Sequence, residues 1–333
     1  MLKKLVITTG LCFILGQSYI ASADAATVIK VGHGANDKYH MHRALLHFED
    51  LVEKGSNGSI DVQIFPSSQM GPDREMIEGV QTGVLEMAVS PSSFFAGWDQ
   101  SFAVIELPYM YPGKQVALDV LNGPAGDEML GKLENQGLVG LGWLENGVRH
   151  VTNNVRPIRS PEDLKGVKLR TMKVPAHVDT FQALGANPTP MNFGEVYSAL
   201  QQGVIDGQEN PVALIDSQRF YEVQKHVSLT SHVFTTYIPV ISGAFFNSLS
   251  ADDQSLLQDS MHKAAEYQQE LVNGEESAQL EKIKKAGVNV VVLSKDQLQK
   301  FVDQTESVRQ KYRATVGEEN YDAWAAAVKE AAK

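Results

Sequence analysis

Residues 165–211 read "KGVKLRTMKVPAHVDTFQALGANPTPMNFGEVYSALQQGVIDGQENP", and two kinds of pattern alternate along them. "VKLR" (167–170) is a short β-type run. Residues 174–184 carry apolar side chains at 174, 178 and 181, the spacing of one helix face. "NFGE" (192–195) has the form of a capping box and opens a further helix to about Gln202. "GVID" (203–206) returns to a strand and Pro211 starts another helix, which leaves Gln208, Glu209 and Asn210 at a strand-to-helix junction. Strands that alternate with helices in this way imply a mostly parallel sheet with helices on its faces.

The same alternation extends outward from this stretch. Upstream lie the strands "TVIKVG" (27–32), "IDVQIF" (60–65) and "VLEMAVS" (84–90), separated by helical spacing over 39–54 and 73–82. "LVGLGWL" (138–144) is strand-like, and "SPED" (160–163) is a helix start with Ser as the cap and Pro at the first position. Downstream, 251–287 is strongly helical, "VNVVVL" (288–293) is a strand, and the remainder is helical and polar. The fold class is therefore α/β, and 333 residues suggest two units of ordinary domain size.

A composition of 43% hydrophobic and 21% charged residues suits a globular chain with a proper core. The formal net charge of −11 speaks against nucleic acid or an anionic membrane as partner, since both need basic patches. Lys3 and Lys4, the apolar run Leu5–Ile20 and the small residues "ASADAA" (21–26) together predict an export signal over residues 1–25. The one cysteine, Cys12, falls inside it. The exported chain would then use neither disulfides nor a cysteine nucleophile.

In open α/β sheets, ligands bind beyond the carboxyl ends of the strands, where helix N-termini point inward. Arg170 ends one such strand and Arg149 follows another; either guanidinium can grip a carboxylate as a fork. His33 ends the first strand. His40, His42 and His47 lack the i, i+4 spacing of a zinc pair on one helix face. "GHGAND" (32–37) misses the third glycine of a dinucleotide fingerprint, and no phosphate loop, nucleophile elbow or zinc-protease motif occurs. No cofactor, metal or catalytic set is called for.

The stretch 165–211, together with "FPSSQMGPDREM" (65–76) and "FYEVQKH" (220–226), closely resembles the solute-binding subunits of tripartite ATP-independent periplasmic (TRAP) transporters, the dicarboxylate-binding family. The likeness spans nearly the whole exported chain. It implies two α/β domains with a ligand cleft between them and a long connecting helix, the cleft closing on its ligand. The expected division is 26–147 plus 236–275 for the first domain and 148–235 plus 276–333 for the second. The family's selectivity arginine falls on Arg170 and a second arginine on Arg149. Asn210 and Phe193 match further ligand contacts, with Tyr237 near another. Around the first domain's rim, His33, Asp73, Ser90 and Ser92 are the candidates. Pro91 stands where some sialic-acid binders carry an acid, which counts against that ligand.

The resemblance implies a periplasmic protein, acting as a monomer, that passes a small organic anion to membrane permease subunits. Rival readings are a secreted α/β enzyme acting on organic acids and a ligand-loaded sensor that docks on a receptor. Hydroxyl-recognising groups outnumber cations among the candidates. A sugar acid, such as a uronate or aldonate, is accordingly expected ahead of a C4 dicarboxylate.

Overall fold

The computed structural model describes residues 26–333, so the expected signal over 1–25 lies outside the described residues. Eleven strands are described: β1 Thr27–His33, β2 Ile60–Phe65, β3 Met87–Pro91, β4 Leu138–Gly140, β5 Leu144–Asn153, β6 Lys168–Thr171, β7 Asn187–Pro190, β8 Gly207–Pro211, β9 His226–Leu229, β10 Phe234–Ser242 and β11 Asn289–Val292. They follow the hydrogen-bonded order β2-β1-β3-β10-β5-β8-β6-β7, with β4 beside β10 and β9 beside β5. This order reads the same from either end. A parallel trio (β2-β1-β3) meets an antiparallel β10, and a second parallel trio (β7-β6-β8) meets an antiparallel β5. The two lobes are versions of one unit.

The lobes join in the middle of β5. Leu144–Val148 of β5 pair with β10, whereas Arg149–Asn153 pair with β8 in the other lobe. The stretch read as the strand 138–144 is thus split into β4 and the start of β5, and Arg149 lies inside β5 at the crossing rather than beyond a strand end. A second departure concerns 203–211. The strand is Gly207–Pro211 itself, and 203–206 form the turn before it. Its central residues are polar yet fully buried, so the chain shows none of the apolar alternation by which a strand is read. Gly207 is required there: a Cβ would lie 2.2 Å from the Thr152 carbonyl oxygen.

"SPED" forms its capping box between Ser160 and Asp163. "NFGE" does not: Asn192 donates to the Glu195 carboxylate at 2.9 Å, and a single 3-10 turn precedes the helix Val196–Gln201. The helix Ala251–Lys285 has 35 residues and so runs ~52 Å at 1.5 Å per residue. Ser250 caps it, Asp252 and Asp253 sit in its first turn, and Lys282, Lys284 and Lys285 in its last, all in the sense that suits the helix dipole. It packs on the helix His40–Gly55, on Val212–Ser217 and on β5, and so touches both lobes.

The last two helices, Glu306–Val316 and Glu318–Ala331, correct the expected division. Val308, Tyr312, Val316, Trp324 and Val328 share one apolar cluster with Val120, Leu121 and Met129. The chain end therefore braces the first lobe, although 276–333 was read as second-lobe sequence. Tyr312 also reaches across, donating to Asp179 at 2.9 Å. Among the described residues, no helix is long and apolar enough to cross a membrane.

Candidate ligand-binding site

Six of the nine expected residues line one cavity at the seam between the lobes: Arg170, Arg149, Asn210, Phe193, Asp73 and Tyr237. Its empty volume is about 370 Å³. The long strand β5 crosses behind it, and the ends of β3, β6 and β8 open into it.

Arg170, next to last in β6, is 2% exposed. Its Nε and Nη2 both donate to the Met191 carbonyl, at 3.1 and 2.8 Å, which fixes the guanidinium plane. Nη1 is buried with no partner. The guanidinium carbon lies 5.8 Å from the Phe193 ring centroid, so one face is covered by an aromatic ring. Burial, with Arg149 nearby, lowers its pKa to about 10, which still leaves it charged at neutral pH. A buried cation with a free donor calls for an anion.

Arg149 is different. Its Nε meets Glu209 Oε2 at 2.5 Å, and its Nη2 meets Oε1 at 2.8 Å and the Glu209 carbonyl at 2.6 Å. The His232 Nε2 also lies 3.0 Å from Glu209 Oε2. Burial acts to raise the Glu209 pKa, but Arg149 and His232 hold it well below the usual carboxylate range. The pair is therefore ionised and self-neutralising. Arg149 lines the cavity, but its charge is already met inside the protein, which corrects its reading as a free second cation.

Asn210 hangs from a chain of buried amides and hydroxyls. Its Nδ2 donates to Gln208 Oε1, Gln208 Nε2 donates to Thr152 Oγ1 at 3.0 Å, and Thr152 donates to Gln224 Oε1 at 2.7 Å. One N–H is used in this way, and the carbonyl oxygen and the second N–H are what a ligand can meet. Gln208 is fully buried in this chain.

Asp73 opens the helix Asp73–Gln81 and is 8% exposed. Burial raises its pKa to about 6 against the pull of the Arg170 charge. Tyr237 lies in β10, its phenol pKa raised by burial and by Asp73, so it remains a neutral donor and acceptor. Its ring centroid is 6.3 Å from that of Tyr39, whose hydroxyl donates to Asn146 Oδ1 at 2.9 Å.

Three expected residues do not line the cavity. His33 is fully buried with Nε2 3.0 Å from His42 Nδ1. Burial, helped by His42, lowers its pKa to about 3, so at neutral pH it supplies no charge for a second carboxylate. Ser92 donates to Glu106 Oε1 at 2.6 Å, and Glu106 Oε2 lies 2.9 Å from His177 Nε2 of the other lobe. It therefore supports an interlobe contact. Ser90 is fully buried in β3. Gly34, Ala35, Pro91, Phe94, Asn146, Met172 and Leu214 complete the wall; of these, Phe94, Asn146, Met172 and Leu214 were not singled out from the sequence. The strand-end rule could have found Met172; nothing in the local sequence marks Asn146.

Residues 31–315 match the family model described as bacterial extracellular solute-binding protein, family 7. The chain belongs to this family. It is 36% identical over 289 residues to the 2,3-diketo-L-gulonate-binding periplasmic protein of Escherichia coli (strain K12), covering 86% of this chain and 88% of that one. It is 35% identical to the C4-dicarboxylate-binding periplasmic protein of Rhodobacter capsulatus, covering 78% of each. The solved sugar acid binding protein of Advenella mimigardefordensis in complex with galactonate superposes with a TM-score of 0.89 at 31% identity, covering 92% of this chain and 99% of that one. Further solved neighbours are TRAP periplasmic solute-binding proteins. The protein is thus a TRAP-type solute-binding protein. Such proteins bind small organic acids and work with membrane permease subunits.

Proposed function

We propose that this solute-binding protein captures a hydroxylated monocarboxylate, a sugar acid such as an aldonate or uronate. The observation that carries the reading is the charge count in the cavity. Arg170 is the one lining cation without a carboxylate of its own, since Arg149 is matched by Glu209. Asp73 adds a negative charge at neutral pH. One carboxylate is therefore welcome and a second is opposed. Asn210, Tyr237 and Asp73 supply the mixed donors and acceptors that hydroxyls need. The names of the relatives divide between diketogulonate, galactonate and C4 dicarboxylates, so family membership leaves the choice to these residues.

We propose the remaining features on the strength of the family likeness. The chain is exported to the periplasm through its first residues, acts as a monomer, closes its lobes over the ligand and delivers it unchanged to the permease. A thermal-shift panel tests the ligand class, since a ligand at ~100 times Kd adds ~2.7 kcal/mol to the folded state. D-galactonate or D-galacturonate should raise the melting temperature, and succinate and L-malate at equal concentration should not. The opposite pattern would make the protein a C4-dicarboxylate carrier. Recovering the bound acid chemically altered would turn the reading toward an enzyme.

A further inference from the structure

A second interlobe pocket adjoins the ligand cavity and shares Phe94 with it. Its empty volume is about 720 Å³. One wall is first-lobe sequence, including Arg74, Ser93 and Phe94; the other is the turn Lys173–Ala176, where the second lobe's helix Pro175–Ala183 begins. Three independent features point to an anion there. The charged residues of its lining are Arg74 and Lys173, with no carboxylate among them, in a chain of net charge −11. The helix N-terminus has no side-chain cap, so its partial positive charge is unmet. Ser93 is 3% exposed and its hydroxyl has no partner. Arg74 is partly offset by Glu78, with Nε 3.0 Å from Oε1, and Lys173 is exposed.

We infer that this pocket is an outer subsite for the carboxylate of an incoming acid, held by Lys173 and Arg74 before the ligand passes Phe94 to Arg170. The inference rests on the organic-anion reading above. It adds a kinetic role for residues outside the final cavity. Charges of one sign lining a cleft raise the association rate about 10- to 1,000-fold, and salt screens that effect. With association slowed and dissociation unchanged, loss of the outer cations weakens affinity by the same factor as the association rate.

The test is stopped-flow tryptophan fluorescence on the full exported chain with D-galactonate, D-galacturonate, D-erythronate and succinate. Trp98 serves as reporter, since the Arg74 guanidinium lies 5.5 Å from its ring centroid. Lys173→Glu leaves that reporter's surroundings intact, and Lys173→Arg is the rescue. In low salt, Lys173→Glu should slow association about tenfold or more, and the gap should shrink to within about threefold near 0.5 M salt. Dissociation should stay within about twofold, and Lys173→Arg should restore the wild-type rate. Adding Arg74→Ala should slow association further, with affinity read by calorimetry.

Unchanged association in low salt overturns the inference while leaving the function intact. A loss that appears in dissociation also overturns it, because Lys173 then belongs to the final complex. If the wild-type protein binds none of the four acids, the functional reading falls and this one with it.

Discussion

The segments "QTGVLEMAVSP" (81–91) and "QQGVIDGQENP" (201–211) are the same device used once in each lobe. Each helix ends at a glycine of positive φ, Gly83 at 75° and Gly203 at 69°. An exposed valine follows (Val84, Val204), then a buried aliphatic residue (Leu85, Ile205). Next comes an acid that accepts from the backbone of the lobe's own central strand: Glu86 from Lys30 N at 3.1 Å, Asp206 from Lys168 N at 2.8 Å. The strand then runs to a proline beside the cleft. From Met87 against Gly207 onward the two diverge. Ala88, Val89 and Ser90 of β3 stand opposite Gln208, Glu209 and Asn210 of β8. One strand is core; the other is a buried polar wall. A shared backbone positions both, and the side chains decide which of the two strands gives the cleft a polar wall.

The difference can be broken hardest at Glu209. Glu209→Ala leaves Arg149 charged and buried without a partner, and such losses cost about 3–5 kcal/mol. Urea unfolding should show a drop of that order. A change below about 1 kcal/mol would mean that the Arg149 pair is solvated, and the claim of a self-neutralised arginine would fail.

Asp73 comes next. Its folded pKa of about 6 lies above the usual carboxylate range, so the folded state holds the proton more tightly than the unfolded chain. Stability contributed this way is present below the unfolded value, near 4, and is lost as pH rises through about 6. Asp73→Asn should therefore stabilise the protein by on the order of 2 kcal/mol at pH 7.5, and by little below pH 4. The same variant should admit dicarboxylates better. An equal effect at both pH values would show that the change acts through packing alone.

Arg170→Lys should weaken sugar-acid binding at least about tenfold in calorimetry, which is 1.4 kcal/mol. A lysine cannot both hold the Met191 carbonyl and turn donors to a carboxylate. Wild-type affinity would remove the fork argument.

The finest comparison is Asn210→Ala against Ser90→Ala, the equivalent positions of the two strands. Losing Asn210 should cost affinity by about 1–1.5 kcal/mol, the net worth of a hydrogen bond. Losing Ser90 should leave affinity within about twofold, since its side chain does not line the cavity. Equal losses would make both strands part of the reading surface.

Much of this was legible in the chain. Glycine and proline positions marked the turns, and the alternation of apolar runs with helical spacing gave the α/β class. Arg170 could be placed because a strand end followed by Pro175 at a helix start is a local pattern. Arg149 could not be judged in the same way. Its partner is 60 residues away, and nothing local tells a free guanidinium from a neutralised one. His33 was placed correctly at the end of β1, but the packing of His42 from the following helix decided its role. The helices after residue 305 were misassigned because apolar spacing shows that a helix is buried on one face, without saying against what.

The crossing strand β5 has a mechanical consequence. Closing two lobes is usually pictured as bending at slack connectors, but here the connection is hydrogen-bonded to one lobe up to Val148 and to the other from Arg149 onward. The joint is a stretch of buried sheet, so movement there spreads as a small change of twist along the strand. In deuterium exchange, amides near Arg149 should rank among the slowest in the molecule, at the very place where the lobes turn. A pivot this stiff acts as a spring with a set resting angle, and the grip on the ligand's carboxylate works against that spring.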